Sequence, residues 1–356
     1  MKRNFGLDLL RAISIWLVLL QHAGINLPGL KPLKIGGIGV EIFFVISGFL
    51  IGGILFKEID KKNNLIKTLK SFWVRRWFRI LPLYYLMLFI KFIFIDDSIG
   101  WNILYYVFFL QNNFYGINYF DVSWSLVIEE WFYLFSPIFL YFSLHFLKKD
   151  RLIIYSIVTF IALVVLLRSI YVFRGNVPYE GVNGNFPFRF DSLFIGVLLS
   201  YLNYKKLPLF QILKSKGVFL CGVALFCGYL FYYWSLAFPD DLINQRYFPR
   251  TIGFLILPLS IGLTIPFISE LTVSNWKRPH IAFIVKTSIL TYAIYLIHPF
   301  IYSKVLNTEL INSFFIRFIL SIIITYGLAL ITYQWFEKPI LKYRDKITGY
   351  NKNKNQ

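Results

Sequence analysis

The stretch WNILYYVFFLQNNFYGINYF, residues 101–120, decides how this chain is arranged. It is apolar and aromatic through Leu110, then meets Gln111, Asn112, Asn113 and Gly116. A helix needs roughly 20 predominantly apolar residues to cross the hydrocarbon of a bilayer, so the apolar part falls short. Whether it crosses sets the side on which every later loop falls.

The surrounding composition makes the membrane the right frame. Hydrophobic residues make up 57% of the 356 residues and charged ones only 15%, and mean hydropathy is positive. That is too apolar for a soluble domain of this length. Apolar runs lie near 7–26, 37–56, 80–95, 124–147, 152–173, 188–204, 217–237, 250–269, 282–304 and 314–336. The expectation is an all-α polytopic membrane protein with about ten transmembrane helices and one re-entrant or interfacial segment near 101–123. Lys2 and Arg3 before the first run imitate a signal peptide, but Arg11 interrupts that run and a second follows at once, which reads as a retained first helix. No linker or repeat divides the chain, so residues 1–340 read as one transmembrane domain and 341–356 as a short basic cytoplasmic tail.

The formal net charge of +19 would suggest a nucleic-acid partner in a soluble chain, but the cations fall in clusters between apolar runs, as the positive-inside rule requires. No nucleic acid is expected. With the N-terminus cytoplasmic, residues 57–79, which hold Lys57, Lys61, Lys62, Lys67, Lys70, Arg75, Arg76 and Arg79, are also inside, and the third helix exits at Asp96 and Asp97. If 101–120 crossed, KKDR at 148–151, Lys205, Lys206, Lys277 and Lys286 would all lie outside. If it only dips in or lies on the outer interface, all of them are cytoplasmic, as are both termini. Irregular backbone at membrane depth is tolerated where it is buried in protein or lines a cavity, so such a segment points to a site nearby. Cys221 and Cys227 are six apart in one apolar run and face different ways, which indicates neither a disulfide nor a metal site.

Ionisable residues inside the apolar runs are rare and tend to be functional. Arg11 lies near the inner end of the first run, and His22 lies eleven residues on, about 16 Å higher along a helix. Arg11 suits either a pathway or simple snorkelling, and His22 either a site or a helix end. Glu41, at the outer depth of His22, is a candidate partner for it. The run WSLVIEEWFYLF places Glu129 and Glu130 side by side just inside an apolar helix, where at least one should face the protein interior. In SFWVRRWFRILPLYY, Arg75, Arg76 and Arg79 collect on roughly one side of a helix, which suits either a ligand with several phosphates or an anionic lipid surface. Arg189, Asp191 and His298 fall at the outer depth of His22.

Taken in order, these motifs resemble those of the acyltransferase-3 family of membrane O-acyltransferases, which acylate sugars of bacterial surface polysaccharides. The resemblance rests on the Arg11 to His22 spacing, GVEIFFVISGFL at 39–50, RRWFRILPLYY at 75–85, WSLVIEEWFY at 124–133, the Arg189/Asp191/Gly196 segment, YAIYLIHP at 292–299 and FEKP at 336–339. It implies a catalytic role for His22, a required Glu129, and donor binding by Arg75, Arg76 and Arg79; placement in the runs adds Glu41 to the catalytic group and Arg11 to the donor site. It places Trp124, Ser125, Glu130, Arg189, Asp191, Tyr292 and His298 on the acceptor side. In the sequence Pro299 follows His298 directly, where the family more often has one residue between. Some relatives continue into a soluble periplasmic domain, and this chain, ending soon after its last apolar run, is expected to act alone or with a separate partner.

The implied activity takes an acyl group, acetyl first, from cytoplasmic acyl-coenzyme A to a sugar hydroxyl of a surface polysaccharide or its lipid-linked precursor, at a bacterial inner membrane. No metal and no tightly bound cofactor are expected, and acetyl-coenzyme A is the donor substrate. Membrane lipid and the glycan are the other partners. The same buried charges would also suit a transporter or flippase of lipid-linked saccharide, and a polysaccharide polymerase is a third reading.

Overall fold

A computed structural model describes residues 3–24, 35–61, 64–96, 98–116, 118–237, 242–273, 276 and 278–348. Lys2, Lys62, Asp97, Lys277 and the tail from 349 onward lie outside the described residues. Every regular element among the described residues is helical. The principal helices are α1 (Phe5–His22), α2 (Ile35–Ile59), α3 (Leu65–Phe94), α4 (Trp124–Phe146), α5 (Asp150–Gly175), α6 (Phe190–Tyr204), α7 (Lys216–Ala237), α8 (Gly253–Ile268), α9 (Pro279–Val305), α10 (Phe314–Thr332) and α11 (Lys338–Ile347). Among the described residues, eight helices are long and apolar enough to cross a membrane.

Two of the expected runs differ. The runs at 188–204 and 250–269 fold as α6, with 15 residues, and α8, with 16. At about 1.5 Å per residue each is shorter than the ~30 Å hydrocarbon thickness. Most of α6 is buried, so its apolar side chains meet protein, and hydropathy alone does not separate that case from lipid exposure. The third helix also begins earlier than its apolar run. It starts at Leu65, capped by the Asn64 side chain accepting from the Lys67 amide at 2.9 Å, so most of the basic stretch is helical.

Residues 101–120 form no spanning helix. They make short turns at Gly100–Asn102, Ile103–Val107 and Gln111–Phe114, and another follows at Asp121–Ser123. Tyrosine hydroxyls satisfy the carbonyls that such backbone leaves over. Tyr84 donates to Tyr106 O at 2.9 Å, Tyr85 to Val107 O at 3.0 Å, Tyr106 to Gly116 O at 2.8 Å and Tyr119 to Asp96 O at 2.7 Å. Burial pushes the Tyr106 phenol above its ordinary pKa, which keeps that hydroxyl a donor.

The chain divides into two compact units, one of Met1–Lys62 with Phe139–Ser288 and the other of Asn63–Ile138 with Ile289–Gln356. Two of the three divisions fall inside a helix, in α4 and in α9. In the first unit α2 packs along α1 and α6. The contact with α6 requires glycine: a Cβ on Gly48 would stand 1.8 Å from Leu193 O, and one on Gly196 would stand 2.1 Å from Val45 O. In the second unit α11 packs against α3, and a π-turn at Tyr333–Glu337 joins α10 to α11. Such turns mark local strain and are frequent at functional sites.

Candidate functional site

In the first unit, Asn4 caps α1 by accepting from the Leu7 amide at 3.0 Å. Arg11 is half-buried two turns further on, and His22 is exposed in the last turn. Asp8, passed over in the sequence, is buried and accepts from Ser288 Oγ at 2.6 Å and from Arg3.

The charges of α2, α5 and α6 form one buried network. Glu41 Oε1 is ion-paired with Arg189, and Glu41 Oε2 accepts from Ser192 Oγ at 2.9 Å. Both oxygens of the carboxylate expected beside His22 are therefore engaged within this cluster. Arg168 Nη1 donates to Asp191 Oδ2 at 2.8 Å and to Phe188 O at 2.6 Å. Arg189 also donates to Asn183 Oδ1, and its guanidinium lies 4.5 Å from the centre of the Phe254 ring. All four charged side chains are almost fully buried, and Arg168 Nε, Arg168 Nη2 and Arg189 Nε find no hydrogen-bond partner, so burial offsets part of what these ion pairs gain. Arg250 is also buried, and it donates to Asn176 Oδ1 and to the carbonyls of Val177 and Arg246. Arg168 and Arg250 escaped the sequence reading because each has side-chain partners far away along the chain.

In the second unit, the middle of α3 presents Arg75, Arg76 and Arg79, all half-buried. Arg75 folds back on Ser71, donating to its carbonyl at 3.0 Å and its hydroxyl at 2.7 Å. The Arg76 guanidinium lies 6.0 Å from the ring centre of Phe72 and 5.7 Å from that of Tyr133. A further cation joins them, since Arg344 of α11 reaches the Arg75 carbonyl.

On α4, Glu129 is half-buried and accepts from Tyr133 Oη at 2.8 Å, whereas Glu130 is only 4% exposed. The Tyr295 hydroxyl donates to Val122 O at 2.7 Å, so Ser125 Oγ, 2.7 Å away, donates to Tyr295. Tyr292 donates to Ile80 O at 2.8 Å. His298 is fully buried with Nδ1 3.1 Å from Ile294 O. A carbonyl can only accept, so the proton sits on Nδ1. Trp124, at the start of α4, is half-buried, and its carbonyl accepts from Asn112 Nδ2 at 2.8 Å. The structure thus joins Glu41 to Arg189, and it ties Ser125 to Tyr295, which the sequence did not single out. Among the described residues, no three His, Cys, Asp or Glu side chains group as a metal site.

Eight long apolar helices, with buried ion pairs and an irregular tyrosine-tied segment, define a polytopic all-helical membrane protein. The acyltransferase domain model matches residues 4–334, and the chain belongs to the acyltransferase-3 family. It is 30% identical over 364 residues to a "Putative O-acetyltransferase" of Staphylococcus aureus strain COL, covering 95% of this chain and 57% of that one. It is 28% identical over 359 residues to the peptidoglycan O-acetyltransferase OatA of Listeria monocytogenes, covering 95% of this chain and 56% of that one. The chain therefore spans little more than half the length of these relatives. No solved structure matches it.

Proposed function

We propose that the protein transfers an acetyl group from cytoplasmic acetyl-coenzyme A to a hydroxyl of a cell-surface glycan, across a bacterial cytoplasmic membrane with both chain termini inside. The observation that carries this reading is the match to the acyltransferase domain over residues 4–334, together with the three arginines gathered midway along α3. The name of the Listeria relative points to peptidoglycan as the acceptor class. In this reading Arg75, Arg76 and Arg79 hold the donor's phosphates and Arg11 assists them. His22 removes the proton from the acceptor hydroxyl, the oxygen forms the new ester with the acetyl carbon, and the carbon–sulfur bond breaks to release coenzyme A as the thiol. Glu129 is the carboxylate that supports the imidazolium in this reading, since Glu41 is held by Arg189 and Ser192. Ester-linked acetate on the surface glycan should disappear when the gene is deleted and return with it. Unchanged ester content would refute the reading.

Two expectations follow from the assignments. A guanidinium binds phosphate as a planar fork and an ammonium does not, so Arg76→Lys should weaken acetyl-coenzyme A binding by about tenfold or more, the equivalent of ~1.4 kcal/mol, with little change in melting temperature. Affinity equal to the parent's would assign these arginines to lipid. For the topology, a cysteine at Lys149 should react only from the cytoplasmic face, and labelling from outside would make 101–120 a crossing.

A further inference from the structure

Glu130 has a place in the fold that the proposed function does not use. Its Oε1 is buried and has no hydrogen-bond partner. It lines a cavity of about 240 Å³, walled by Trp77 and Tyr85 of α3, Phe109 of the irregular segment, and Trp131 and Leu134 of α4. Phe109 holds a left-handed backbone with φ 56°, at a cost of roughly 1–3 kcal/mol for a residue that is not glycine. The Trp131 indole donates to its carbonyl at 2.9 Å, which holds it there. The cavity adjoins a cleft of about 620 Å³ between α3 and α11, sharing Trp77 and Tyr85 with it. Trp77 directly follows Arg76.

Three kinds of ligand can be weighed by what each leaves unpaired. A hydrocarbon chain would leave Glu130 Oε1 without a partner, and a sugar would bring several hydroxyls to a wall with a single polar residue. A slender saturated chain with secondary amides matches both the wall and the acceptor. We propose that this cavity receives the pantetheine arm of the donor, with Glu130 Oε1 accepting a hydrogen bond from one of the arm's amide N–H groups. This rests on the acyl-coenzyme A reading above, and it moves Glu130 from the acceptor side to the donor side. It also gives the strained Phe109 a role, because relaxing its backbone would withdraw one wall of the slot.

The test uses the full chain with Cys221 and Cys227 replaced by serine and Leu134→Cys introduced. Pantetheine itself carries a thiol, so S-acetylpantetheine is the probe. It should slow modification of the new cysteine by a thiol reagent by about tenfold, whereas adenosine 3′,5′-bisphosphate, which has the phosphates without the arm, should not. Glu130→Gln should remove that protection. A neutral amide oxygen accepts more weakly than a carboxylate oxygen, a loss of about tenfold in affinity. The same preparation without the labelling cysteine is assayed for acetyl transfer. Transfer with no protection by S-acetylpantetheine, or protection by phospholipid alone, overturns the arm assignment and leaves the activity standing. No transfer from acetyl-coenzyme A overturns the activity on which it rests.

Discussion

Replacing His22 with alanine should lower acetyl transfer by about 10²- to 10⁴-fold, the usual range for loss of a general base, while the protein still folds and binds acetyl-coenzyme A. The second half of that expectation comes from the structure. His22 is exposed at the end of α1, where a substitution usually changes stability by no more than about 0.5 kcal/mol. A base acts in the transition state, so its loss should appear in kcat and in kcat/KM together, with KM little changed. The check is steady-state kinetics beside a melting curve and a donor titration. Activity within several-fold of the parent's would return His22 to the role of a helix-end residue.

Arg189→Met should destabilise the protein by about 3–5 kcal/mol, because it strands the buried Glu41 carboxylate with Ser192 as its remaining partner. Asn183 also loses its donor. The cost should lie in the uncompensated charge more than in the pair itself. Arg189→Met combined with Glu41→Gln should therefore recover at least half of the lost stability, since the glutamine keeps an acceptor for Ser192 and carries no charge. Thermal unfolding of the single and double variants in detergent measures this directly. If the double variant is no more stable than Arg189→Met alone, the loss belongs to packing against Phe254 and Phe44, which the guanidinium also faces.

These residues show how far the sequence could be read. The apolar runs located the helices well, because bilayer thickness imposes a length that composition betrays, and three arginines at helical spacing stood out in a charge-poor chain. The polar breaks at Gln111, Asn112 and Gly116 correctly kept 101–120 from forming a helix. Hydropathy could not tell that α6 is packed in protein, because leucine facing lipid and leucine facing protein read alike. Nor could spacing pair Glu41 with Arg189, or Arg168 with Asp191, since long-range partners leave no local period. The left-handed Phe109 was equally hidden, because a phenylalanine in a strained backbone has no sequence signature of the kind that glycine or asparagine would give. Asp8 was visible as an acidic residue in the first turn of a helix, where the dipole favours it, and that signal could have found it.

Thiol release tests the transfer most directly. The purified full chain in lipid, given acetyl-coenzyme A and a glycan acceptor, should liberate free coenzyme A in step with acetyl ester appearing on the glycan, and His22→Ala should stop both. Movement of a lipid-linked saccharide across the bilayer with no thiol released would contradict the acyltransferase assignment and leave a transporter in its place.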